Sequence, residues 1–143
     1  MTPEDIKNIL YRKCREIFPD IPAHKDVHPP VTEKDVSERI VVNVLSMNNE
    51  PWSQGYGNVN LFVPYNKSSK YPAPNNPRLK ELGNIANNEF RSVYFNELEG
   101  RGIYSIDSIS TEHDEATWSY FVNVRLFIKT NNFKLNNLAI FIS

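Results

Sequence analysis

His24, Asp26 and His28 form an H-x-D-x-H pattern, one of the few places in this chain where residue types and spacing could do chemistry. In an extended strand the three side chains would share one face, as metal ligands do. A third imidazole or a cysteine at a familiar ligand spacing is missing, and Pro29-Pro30 follow at once. The pattern therefore reads as a solvated loop, and no metal site is expected. A second cluster, Glu112, His113, Asp114 and Glu115, crowds a turn. Acid–base catalysis needs two carboxylates held across a pocket, whereas successive polar residues at a turn face water. Glu112 to Glu115 therefore read as a solvated turn, with docking on a basic partner as the functional alternative. They close an acidic run of Glu97, Glu99, Asp107, Glu112, Asp114 and Glu115, broken by Arg101 alone.

Trp52 and Tyr56 lie beside Gly55 and Gly57 in a stretch, Met47 to Gly57, that reads as a polar loop. Aromatics on such a loop mark a surface for another protein, unless Trp52 folds back over the sheet edge. Ser53 and Ser119 lack a nucleophile-elbow context, and neither a phosphate-binding glycine loop nor a C-x-x-C occurs. No catalytic residue and no cofactor is expected. Cys14 lies on an apolar helix face and reads as a small buried thiol.

The elements that position these residues follow from periodicity. In Thr117–Lys129 the residues Trp118, Tyr120, Val122, Val124, Leu126 and Ile128 share one parity, which describes a long strand with one apolar face. Residues 38–46, 58–65 and 103–110 read as further strands, and a short edge strand is placed near Val27. Thr2-Pro3-Glu4-Asp5 opens a helix over 3–18, with Ile6, Ile9, Leu10, Cys14 and Ile17 on one side. Asn76-Pro77 opens a second over 76–96, carrying Leu79, Leu82, Ile85, Ala86, Phe90 and Val93. Gly83 inside it costs about 1 kcal/mol against alanine, which points to close packing on the sheet. The expected fold is α+β: a mainly antiparallel sheet of four or five strands, with both helices on one face. One domain covers 1–143. Residues 130–143, with the apolar run Leu138-Ala139-Ile140-Phe141-Ile142, form a C-terminal extension or an added strand.

Bulk properties exclude several classes. The 143 residues carry a net charge of −1 with no basic stripe, so nucleic acid is not an expected partner. A single cysteine rules out an internal disulfide framework. No apolar run reaches the roughly 18–20 residues that span a bilayer. The acidic N-terminus lacks the basic and apolar regions of a signal peptide, so the expected location is cytoplasmic.

The order of elements, with Ile40-Val41-Val42-Asn43-Val44, then Val59-Asn60-Leu61-Phe62-Val63, a crossing helix, and a hairpin ending in Trp118-Ser119-Tyr120-Phe121-Val122-Asn123-Val124-Arg125-Leu126, resembles the small tail-terminator and tail-completion proteins of long-tailed bacteriophages and related prophages. The resemblance covers residues 3–129. It implies two helices on an antiparallel sheet, and a homo-oligomeric ring that closes the tail tube against head-completion proteins. The location would be cytoplasmic during assembly and then the virion. It carries no catalytic residues. The acidic run could then meet Arg125, Lys129 or Lys134 of a neighbour. A small non-catalytic protein-binding module, inhibitor-like or immunity-like, is the alternative.

Overall fold

A computed structural model describes residues 1–48, 52–68 and 70–131. Helix α1 spans Pro3–Ile17, and its start is a reciprocal cap: the Asp5 N–H donates to Thr2 Oγ1 (3.2 Å) and the Thr2 N–H to Asp5 Oδ2 (2.9 Å). Ile6, Ile9, Leu10 and Cys14 form its buried stripe, and burial pushes the Cys14 thiol up to about 12, so it stays protonated and inert. The strands are β1 (Ala23–Lys25), β2 (Arg39–Met47), β3 (Trp52–Pro64), β4 (Ser92–Glu97), β5 (Gly100–Asp114) and β6 (Ser119–Asn131). Helix α2 (Asn76–Glu89) separates β3 from β4, and a 3-10 turn (Glu115–Thr117) joins β5 to β6. The strands make one curled sheet in the order β1-β2-β3-β6-β5-β4. Every pairing is antiparallel except β1 with β2.

Both helices pack on one face. Leu10 and Cys14 of α1, and Leu79, Leu82 and Ala86 of α2, share a single buried cluster with Ile40, Val42, Val59, Leu61, Val122, Val124, Leu126 and Ile128. The expected apolar parity of the long strand holds from Tyr120 to Ile128. Trp118 leaves that row because it sits in the turn with a left-handed φ of 49°.

Among the described residues the sheet has six strands, where four or five are expected. One addition is β1, just before the expected position at Val27. The other is β4, whose residues fall within the expected second helix over 76–96. Helix α2 stops at Glu89, with the Phe90 N–H closing on Ala86 O (2.9 Å). Beyond it, Ser92-Val93-Tyr94-Phe95 is β-branched and aromatic, and it alternates out and in as a strand does. Phe90 keeps its expected place in the core.

Within the stretch Met47 to Gly57, residues 52–57 are strand and not loop. β2 runs to Met47 and β3 begins at Trp52, paired residue by residue with β6 from Trp52↔Asn131 to Pro64↔Ser119. The pattern was misleading because it is inverted: small Ser53, Gly55 and Gly57 face the helices, while Trp52, Gln54 and Tyr56 face away. A Cβ on Gly57 would stand 3.1 Å from Ile128 Cδ1 and 3.2 Å from Leu10 Cδ1, so the glycine lets α1 settle on the sheet. Likewise Thr111–Asp114 is no turn but the end of β5, because ladder hydrogen bonds to β6 do not depend on side-chain polarity. Gly83 has nothing within 4 Å of the Cβ it lacks, so the expected close packing there is not found. Leu138–Ile142 and Lys134 lie outside the described residues, and only Thr130 and Asn131 of the expected extension are described, as the end of β6.

Val122→Asp is expected to cost on the order of 4 kcal/mol, because it buries an unpaired charge, whereas Ser110→Asp on the opposite side of the hairpin should stay within about 0.5 kcal/mol. Urea denaturation of both variants checks this. Gly83→Ala should raise stability by about 0.5–1 kcal/mol, since the added methyl meets no neighbour and the helix gains propensity.

Candidate interaction face

Period two gives each strand a second side, and among the described residues no helix covers it. Four mid-strand asparagines, unusual in strand interiors, satisfy one another there. Asn58 Nδ2 donates to Asn43 Oδ1 (2.9 Å), and Asn123 Nδ2 donates to Asn58 Oδ1 (3.1 Å) and Asn60 Oδ1 (2.6 Å). The ladder thus crosses β2, β3 and β6.

Aromatic rows flank it. On one side Phe62 stacks on Phe121 with ring centroids 4.6 Å apart. On the other, Tyr56 meets the edge of Phe127 at 5.5 Å, and the Arg125 guanidinium lies 4.3 Å over the Tyr56 ring. Arg125 also pairs with Asp107 (3.5 Å), so this cation is already engaged.

The loop between β1 and β2 closes one end of the face. Arg39 lies 4.6 Å over Phe62 and is only 2% exposed. Its Nε donates to His28 Nδ1 (2.9 Å) and its Nη1 to Ser37 O (3.0 Å). Burial, and then the Arg39 charge, holds His28 below its ordinary value of 6.5. His28 is therefore neutral, with its proton on Nε2. Asp26 points elsewhere: a left-handed φ of 66° breaks the strand, and its carboxylate accepts from Lys7 Nζ (2.6 Å) on the helix side. The H-x-D-x-H residues thus do not converge. Among the described residues, no three His, Cys, Asp or Glu side chains gather as metal ligands would.

At the hairpin tip, the His113 ring stacks on Tyr120 (4.4 Å) and its Nε2 bonds the Tyr65 hydroxyl. Burial and then nearby Glu115 raise the Tyr65 phenol, which stays neutral. Asp114 Oδ2 accepts from Thr117 Oγ1 (2.7 Å), while Glu112 and Glu115 are exposed. The acidic run is not one patch. Glu97 and Glu99 sit at the far end against Arg12 (3.9 and 2.7 Å), and Asp107 is mid-strand on Arg125. At that far end a shallow hollow is lined by Trp52, Tyr94, Arg101, Ile103, Lys129 and Asn131. Of the residues singled out in the sequence, Trp52 and Tyr56 lie on this face, with Tyr56 half-buried under Arg125. Glu112 borders it beside Phe121. His113 turns to the helix side. The asparagine ladder was missed, although asparagines at every second position of a β run were the visible signal.

No protein-family model matches this chain. No curated protein is similar to it either. Among solved structures, a protein known by a serial designation without a functional term is similar at 12% identity, over 91% of this chain and 93% of its own, with a TM-score of 0.45. Among the described residues no helix is long and apolar enough to cross a membrane.

The His28–Arg39 contact makes stability depend on pH. The unfolded chain takes up a proton that folded His28 refuses, so stability falls as pH drops through 6.5, and this contribution levels off once folded His28 is also protonated. Melting curves from about pH 7.5 to 5 should show that fall, and His28→Gln should remove this part of it.

Proposed function

We propose that this chain is a non-catalytic assembly protein of the phage tail-terminator or tail-completion type, acting as a ring that closes the tail tube and docks on the head–tail connector. The observation that carries the reading is the sheet face that neither α1 nor α2 covers. Both helices lie on the other side, and the free face presents aromatic rings, cations and amides in rows rather than a pocket with converging acid–base groups. Such a face suits a broad protein contact, where buried aromatics and arginines dominate binding. The order of elements supplies the link to tail proteins, and the two helices over an antiparallel sheet fit the architecture that the resemblance implies.

Light scattering of the full chain, alone and with the tail-tube and head-completion proteins of the same genome, tests the proposal. The expected result is a multi-subunit ring, either alone or on the tube end. A monomer at every salt concentration that binds neither protein would overturn it and favour a single-partner inhibitor-like or immunity-like module.

A further inference from the structure

The two ends of the β5–β6 ribbon carry opposite charges, Glu112 and Glu115 at one and Arg101 and Lys129 at the other. Eight acids are paired among the described residues: Glu4 and Asp26 on Lys7, Glu38 and Glu81 on Arg78, Glu89 on Lys13, Glu97 and Glu99 on Arg12, Asp107 on Arg125. Glu112 and Glu115 at the hairpin tip have no ion pair among the described residues. Neither do Arg101 and Lys129 at the other end, where Lys129 Nζ rests 5.4 Å over the Trp52 ring. The cationic end is also the more apolar: Trp52, Tyr94 and Ile103 are 54%, 68% and 42% exposed. They are neighbours, since Tyr94 pairs with Ile103, Ile103 with Lys129, and Trp52 with Asn131. Arg101 and Glu112 are eleven positions apart on one strand, roughly 35 Å at about 3.3 Å per residue, so one subunit cannot bring its own tip to its own hollow.

We infer that copies of this chain join head to tail, the Glu112/Glu115 tip of one seating on the Trp52–Tyr94–Ile103 hollow of the next, with its carboxylates facing Arg101 and Lys129. This names the contact within the ring proposed above and rests on that reading. Two different, complementary patches are what a closed ring of identical subunits requires. The tip is preformed, because the Thr117–Asp114 bond and the left-handed Trp118 hold the turn, so little ordering entropy opposes docking.

Two charge reversals test the contact: Glu112→Lys/Glu115→Lys on the tip and Arg101→Glu/Lys129→Glu on the hollow. All four side chains are surface groups, and circular dichroism verifies that each variant folds. Sedimentation is run at about 0.1 M and 1 M salt, where exposed charges are screened beyond roughly 10 and 3 Å. Wild type should self-associate, more strongly at the lower salt. Each reversed protein alone should associate at least about tenfold more weakly, and a one-to-one mixture of the two should recover, because every contact then pairs opposite charges again. Trp52→Ala should weaken the part that survives high salt. Reversed proteins that associate like wild type, a mixture no better than its components, or a wild type monomeric at both salts would each overturn the contact. Binding to the tail tube decides the functional reading separately: retained binding with no effect of the reversals leaves that reading standing without this contact.

Discussion

Strand β6 is hydrogen-bonded along both of its edges, to β3 from Ser119 to Asn131 and to β5 over the same length. Everything else hangs on this three-stranded ribbon. Its inner row, Val122, Val124, Leu126 and Ile128, is fully buried and supplies the floor on which both helices lie. Each such side chain removed from water contributes roughly 1.5–3 kcal/mol, which is why a strand with one continuous apolar row dominates the stability of a small α+β protein. The shorter strands β1, β2 and β4 extend a frame that already exists.

The ribbon also dictates where the helices can sit. Gly55 and Gly57 remove side chains from the inner row of β3, and Leu10 of α1 comes within contact distance of the space left at Gly57. On the other side of the same strand, Trp52 and Tyr56 turn outward. One local choice, small residues inside and aromatics outside, therefore seats α1 and equips the free face together. The polar groups are tied in the same spirit. Lys7 anchors α1 to the chain after β1, and Arg78 anchors α2 to Glu38 just before β2, so the two long loops start or finish at charged clamps.

The helix starts, the long strand and the shared core were legible because each follows a strong rule: a cap with proline and acids behind it, or an unbroken period of two. What was not legible departs from those rules for physical reasons. β3 hid its first half because its apolar pattern is reversed. β4 hid behind α2 because Phe90 and Val93 continue a helical spacing on paper, although the run is β-forming. The end of β5 hid because its pairing with β6 is made by the backbone alone, under polar side chains. Of the site, Trp52 and Tyr56 were visible as residues but misplaced in a loop. The engagement of Arg39, His28 and Arg125 joins distant parts of the chain, as where Arg125 lies over Tyr56, which no local pattern encodes.

The asparagine ladder bears on how the chain finds its correct strand alignment. Alternating polarity forbids a slip of one position, since that would turn every apolar side chain outward, but it tolerates a slip of two. On the free face like meets like: Phe121 opposite Phe62, Asn123 opposite Asn60, Phe127 opposite Tyr56. A slip of two sets Phe121 against Asn60 or Pro64 and Phe127 against Asn58 or Gln54, breaking both ring contacts in either direction. The amides and rings thus act as a key for β-sheet alignment, discriminating between arrangements that alternating polarity alone treats as equivalent.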